Sequence, residues 1–272
     1  MASSLKIREH KRLNDISFVV SVLRLEEYLK TLPNNLVSGE DVQLSDKSFS
    51  DIFDLVDLKK DDVFYHLGCG DGKGIVMVLE KYNIKKAVGI DINEDKIRVA
   101  RKNLQNKNIS AELICEDIRN VDFTDATVIL YWFTDDKITD NMMKKFEKLR
   151  PGARIVTIWG PLPECLPEKI RFPYIVNKTP FKKVSLQEQV LAVFGVKCID
   201  FVTAWEFAER YTKTIGTNVE NDRFLTIIQT LIIWINARNL GVSCGNEIPE
   251  SIKTYINIMK IHFGIDFDYL LE

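Results

Sequence analysis

The chain has 272 residues, enough for one large domain or for a domain of about 150 residues carrying an extension. Its 46% hydrophobic and 28% charged content is that of a soluble globular protein. A net charge of −2 speaks against a nucleic-acid binder that works by broad phosphate neutralisation.

Taken in order, residues 5–31 alternate charges with Leu13, Ile16, Val19, Val20, Leu23 and Leu29. That spacing predicts a helix, ended by Pro33-Asn34-Asn35. The charged start (Lys6, Arg8, Lys11, Arg12) excludes a signal peptide, and the expected location is cytoplasmic. Ser45 or Asp46 is placed to cap a helix through Phe49, Ile52, Phe53 and Val56. The preceding stretch, Asp41-Val42-Gln43-Leu44-Ser45, is the candidate for a lid over a ligand.

The chain is organised around Val63-Phe64-Tyr65-His66-Leu67-Gly68-Cys69-Gly70-Asp71-Gly72-Lys73-Gly74. An apolar run passes through alternating glycines into Ile75-Val76-Met77-Val78, which predicts a buried strand, a tight turn and a helix start. The spacing is G-x-G-x-G. It fails the dinucleotide pattern G-x-G-x-x-G because Lys73 stands at the last position, and it fails the P-loop because Gly74 follows Lys73. Further strands are predicted at 86–91, 111–115, 126–132 and 153–159, with helices at 94–105 and 142–149. Strands alternating with helices make a doubly wound, mostly parallel sheet. From Phe172 the texture changes. Segments 174–177 and 187–194 are expected to be two strands forming an antiparallel edge, and 201–214, 221–239 and 249–262 to be helices. The stripe Phe224, Leu225, Ile228, Leu231, Ile232, Ile235 is assigned to a helical core. Five scattered cysteines without a C-x-x-C pair, and three histidines, indicate neither a metal site nor a disulfide framework.

Ligands of such sheets sit at the carboxyl ends of the strands. There the chain places Gly68, Cys69, Gly70, Asp71 and Gly72, then Asp91, Asp117 and Tyr131. These suit a nucleoside that carries an amino acid. The bare loop admits the amino-acid end, Asp91 accepts from both ribose hydroxyls, Asp117 accepts from the adenine amine, and Ile92 and Ile118 flank the ring.

With those residues in place, the sequence resembles the class I, seven-strand S-adenosylmethionine (SAM)-dependent methyltransferases, in His-Leu-Gly-Cys-Gly-Asp-Gly at 66–72, Val-Gly-Ile-Asp at 88–91, Glu-Asp-Ile at 116–118 and Leu-Arg-Pro-Gly-Ala-Arg-Ile-Val at 149–156. The likeness covers about residues 41–196. It implies a Rossmann-like fold with N- and C-terminal helical extensions, divided as 1–37, 38–197 and 198–272, and S-adenosylhomocysteine as product. The family carries Asp or Glu where His66 stands, a residue that orders the loop and reaches the cofactor amine. More narrowly, the segments Tyr65–Gly74, Lys85–Asn93 and Asp125–Trp132 are similar to small archaeal protein-lysine methyltransferases. That implies transfer to a lysine ε-amine of a protein partner, with Tyr131, Trp132, Phe133 and Thr134 as the catalytic stretch and Tyr131 also touching the cofactor. Trp159 is the candidate wall of the acceptor pocket. Rival readings are a small-molecule N- or O-methyltransferase and a SAM-binding module without turnover. The helical extensions are candidates for covering the site or for pairing two copies. Neither a membrane nor a nucleic acid is an expected partner.

Overall fold

The computed structural model of the chain describes residues 44–132, 136–215, 223–264 and 266. These divide between two compact units, one taking in 44–197 and the residues from Arg210, the other 198–209 and the residues from 223 onward. The expected N-terminal helix lies outside the described residues, as do Asp41, Val42 and Gln43 of the candidate lid.

In the larger unit, helix α1 (Asp46–Leu55) precedes strand β1 (Val63–Leu67), and Ser45 caps it by accepting from the Ser48 N–H at 3.1 Å. Then follow α2 (Lys73–Tyr82), β2 (Lys86–Asp91), α3 (Glu94–Asn106), β3 (Glu112–Cys115), β4 (Val128–Tyr131), α4 (Asp136–Phe146) and β5 (Arg154–Ile158). A hairpin of β6 (Lys169–Arg171) and β7 (Tyr174–Lys178) and helix α5 (Leu186–Phe194) complete it. The seven strands form one sheet in the order β3-β2-β1-β4-β5-β7-β6, parallel except where β7 pairs antiparallel with β5 and β6. The strand order reverses between β1 and β4, so the ligand crevice of this topology opens there.

Parallel strands covered on both faces are apolar at consecutive positions, which is why β1, β4 and most of β5 are buried along their length. One face of the sheet packs Tyr65, Leu67, Ile129, Tyr131 and Ile155 against Met142, Met143 and Phe146 of α4. The other puts Phe64 and His66 against Phe53 and Phe49 of α1.

Two expectations are corrected. Segment 187–194 is helix, not strand. Ser185 and Glu188 form a reciprocal capping box that closes its first turn, and Gln189, Val190 and Val193 bury one side. The antiparallel partner that β7 takes beside β5 is β6, a segment for which the sequence predicts no strand. Helix α4 also begins six residues earlier than the periodicity suggests.

In the other unit, α6 (Phe201–Ile215, of which the part from Arg210 belongs to the α/β unit), α7 (Arg223–Asn239) and α8 (Glu250–Phe263) supply the helices. Of the expected stripe, helix α7 buries Leu225, Leu231 and Ile235 and leaves Ile228 and Ile232 half-buried, while Ile233 and Trp234 join the core from outside it; the Phe224 side chain lies outside the described residues. A disulfide joins Cys198 to Cys244 across 46 residues, overturning the reading that no cysteines pair. Backbone bonds from the Ile199 N–H to Val242 O (2.9 Å) and from the Cys244 N–H to Ile199 O (2.9 Å) bring the two thiols together. Among the described residues, no helix is long and apolar enough to cross a membrane.

Candidate active site

The glycine loop leaves β1 at Gly68, whose N–H, like that of Cys69, donates to Ile90 O on β2 (2.8 and 2.9 Å). Gly68, Gly70 and Gly72 have φ of 78°, 55° and 78°, values that side-chain-bearing residues avoid. Gly72 also has no room for more. A Cβ there would lie 2.8 Å from the Ala100 Cβ, so α3 packs directly on the loop backbone. Asn103 of α3 donates to Asp71 O at 3.0 Å and fixes the loop from the same side. The Asp71 carboxylate accepts from the Lys73 N–H at 3.1 Å and so turns towards its own backbone. Beyond that bond, the N-cap of α2 is Gly72, which brings no side chain, and the first turn itself holds no acidic residue. The positive dipole end of α2 is therefore already met in part by the Asp71 carboxylate at its first N–H.

Asp91 ends β2 and is 8% exposed. One carboxylate oxygen accepts from the Gly70 N–H and the other from the Asn93 N–H, each at 2.9 Å. Each oxygen keeps a further lone pair, so the group is held in place and still able to accept two hydroxyls. Next to it Ile92 is 72% exposed, a large apolar side chain with most of its surface uncovered. The Glu116 N–H donates to Asp91 O at 3.2 Å and brings the end of β3 alongside.

At that end, Asp117 is engaged. Arg119 donates to both of its oxygens, with the side-chain Nε at 3.0 Å from each, and the Arg119 backbone N–H adds a bond at 2.9 Å. The guanidinium holds the Asp117 carboxyl down to a pKa of about 2. Ile118 is 6% exposed and its side chain joins the core beneath α4. Lys145 of α4 donates to Val121 O at 2.8 Å and to Ile118 O at 3.4 Å, pinning this loop.

His66 points to the opposite face of the sheet from Leu67 and is 8% exposed. Phe49 meets it edge-on at 5.7 Å, and a Cβ on Gly74 would stand 3.1 Å from its Nδ1, an atom without a hydrogen-bond partner. Burial pushes its pKa down to about 4, so the imidazole is neutral at physiological pH and offers no charge to an amine. Cys69 is 3% exposed and packs where a Cβ on Gly89 would otherwise fall. Burial, with the Asp91 charge nearby, raises its thiol to about 12, which makes it a packing residue rather than a nucleophile.

Tyr131 is 2% exposed, its hydroxyl 2.9 Å from Thr139 Oγ1 and its ring edge-on to Phe146. Its ring therefore belongs to the core under α4. Trp132 is half-buried, and Phe133 and Thr134 lie outside the described residues. The structure thus brings Gly68, Gly70, Asp91, Ile92 and Asp117 to one edge of the sheet, while Ile118, Tyr131, Cys69 and His66 face inward. Sequence reading missed Asn93, Asn103, Ala100, Arg119 and Lys145. Only Asn93, as the cap of α3, carried a local signal.

The donor set fits a SAM-type cofactor: a fixed carboxylate for two sugar hydroxyls, an exposed isoleucine for a base, and a bare glycine loop for an amino acid. Residues 66–169 match the family model of the ANTKMT methyltransferase domain. A protein-lysine N-methyltransferase of Saccharolobus islandicus is 33% identical over 109 residues, which are 39% of this chain and 67% of that protein. An uncharacterised protein of Methanocaldococcus jannaschii is 34% identical over 35% of this chain, and there the chain spans 43% of the relative's length. Among solved structures, an RNA methyltransferase from Salinibacter ruber in complex with S-adenosyl-L-homocysteine is 22% identical, covers 53% of this chain and 97% of its own, and gives a TM-score of 0.48. The chain belongs to the class I SAM-dependent methyltransferases and is related to the archaeal protein-lysine enzymes of that class.

Proposed function

We propose that the chain methylates lysine ε-amines of a protein. The observation that carries this reading is the similarity to the Saccharolobus protein-lysine N-methyltransferase. The half-buried Trp132 beyond β4 supports it, because loss of water around an amine there disfavours the ammonium.

When bound, SAM supplies an electrophilic methyl carbon: the amine lone pair forms the new C–N bond as the C–S pair leaves on sulfur. The share of the chain is binding and alignment. Asp91 accepts the sugar hydroxyls, Ile92 covers one face of the base, and the backbone at 68–70 receives the amino-acid end. Asp117 accepts the exocyclic amine once Arg119 yields an oxygen. Trp132 borders the acceptor and keeps water from the amine, so the ammonium gives its proton to bulk water before the neutral amine passes inward to attack. Alignment of this kind contributes up to roughly 7–11 kcal/mol to a displacement.

The test is transfer of radiolabelled methyl from SAM into cell extract, separated into protein and small-molecule fractions and followed by acid hydrolysis. Label recovered as methyl-lysine is the expected result. Label confined to small molecules overturns the proposal.

A further inference from the structure

The chain leaves β5 through a constrained segment that the cofactor half of the fold does not need. Trp159 has φ of 84°, a left-handed conformation that a bulky residue adopts only when its surroundings dictate it. Those surroundings are specific. The Trp159 N–H donates to Pro173 O at 2.7 Å, and Thr157 Oγ1 donates to Gly160 O at 2.6 Å. Beyond it, the Leu162 N–H donates to Oδ1 of Asn177, which is fully buried, at 3.1 Å. Gln189, 6% exposed, donates to both Leu162 O and Cys165 O at 2.8 Å. Two buried amides and a hydroxyl thus hold 157–165 in one shape.

The indole so positioned meets Tyr211 at 4.6 Å, edge to face, and Phe172 at 5.8 Å. Tyr211 lies on the end of α6 that belongs to the α/β unit, and that end is tied down where Ser48 Oγ donates to Thr214 O at 3.3 Å. Trp159 and Tyr211 are both half-buried, so part of each ring stays uncovered. A Cβ built on Gly160 would meet nothing within 4 Å. An aromatic corner stands beside open space.

Its place on the sheet gives it a use. Leu67, Tyr131 and Thr157 share one row across β1, β4 and β5, so Trp159 lies just beyond β5 on the carboxyl edge. Two strand spacings, about 10 Å, separate that backbone from the glycine loop. We propose that Trp159 and Tyr211 form the wall along which the acceptor side chain enters, and that Trp159 is the residue that selects a lysine. The claim rests on the protein-lysine reading above. An indole face binds an ammonium or methylammonium better than any other side-chain ring and packs against its methylene stem. Burial keeps the Tyr211 phenol protonated, with a pKa of about 12, so the wall stays uncharged.

The experiment compares wild type, Trp159→Leu and Gly160→Leu as full-length chains. The readouts are methyl transfer into extract-protein lysine at varied extract concentration, S-adenosylhomocysteine affinity by calorimetry, and melting temperature. The expected result for Trp159→Leu is an apparent acceptor KM raised roughly tenfold with cofactor affinity unchanged. Gly160→Leu starts from a Cβ that meets nothing within 4 Å, and is expected to block transfer while melting as wild type does. Normal acceptor KM in a folded Trp159→Leu overturns the wall. If that variant does not fold, wild-type transfer by Gly160→Leu overturns it. Label found only in small molecules instead refutes the lysine reading, and the same variants then test the wall on that acceptor.

Discussion

Asp91→Asn separates the cofactor role of this carboxylate from its role in the loop. Each of its oxygens already accepts one backbone N–H, from Gly70 and from Asn93, at 2.9 Å. An amide of the same shape keeps one acceptor and turns an NH2 towards the other N–H, so donor faces donor. It also removes the charge that strengthens two bonds to sugar hydroxyls, at about 1.5–3 kcal/mol each. Allowing for what the amide oxygen retains, the loss in cofactor binding is about 3–5 kcal/mol, or two to four decades in Kd. The cost to the free protein is smaller, about 1–2 kcal/mol, because Asn93 is exposed and water replaces one partner. Titration calorimetry with S-adenosylhomocysteine reads the first quantity and a thermal melt of the free protein the second. A Kd within threefold of wild type, in a protein that melts normally, would refute the assignment of Asp91 to the sugar.

His66 titrates near 4 when folded and near 6.5 when unfolded, so between those values the unfolded chain binds the extra proton. Stability is therefore unaffected above pH 6.5 and falls by about 3 kcal/mol as pH drops to 4, a slope that His66→Asn should remove from urea midpoints measured against pH. Gly72→Ala combines a φ of 78° with a Cβ 2.8 Å from that of Ala100, and should cost about 2–4 kcal/mol by chemical denaturation. Adding Ala100→Gly removes the clash and leaves the strained φ, so it should restore only part. Reducing Cys198–Cys244 reopens a loop of 46 residues, worth up to about 4 kcal/mol in chain entropy, and a melt with and without reductant reads the loss. Arg119→Ala releases the Asp117 carboxylate. Because Arg119 is half exposed, its ion pair is a weak competitor, and S-adenosylhomocysteine affinity should hold or rise about threefold by calorimetry.

What could be read from the sequence was whatever a residue imposes on its own backbone. The G-x-G-x-G loop, the cap at Ser45, and the acidic residues closing β2 and β3 are local requirements, and the spacing exposes them. Where another element decides, the reading failed. The apolar run Val190-Leu191-Ala192-Val193-Phe194 is an exception: it suits a strand and a helix equally, and the Ser185–Glu188 capping box that settles it is itself a local signature the reading passed over. Cys198 and Cys244 give no sign of pairing because 46 residues and two helices intervene. Tyr131 looked like a pocket residue because a strand buried on both faces carries apolar side chains at every position, and parity alone does not say which face holds the ligand. The same distinction runs through the active site. The cofactor edge is built from backbone and carboxylates at strand ends, so its pattern is periodic and visible. The acceptor edge is built where β5 stops, by an indole turned through a left-handed φ and held by amides from β7 and α5. Each of those contacts is long-range, so the segment after β5 could diverge while the glycine loop stays recognisable. Acceptor specificity would then be set by the residues that local pattern reveals least.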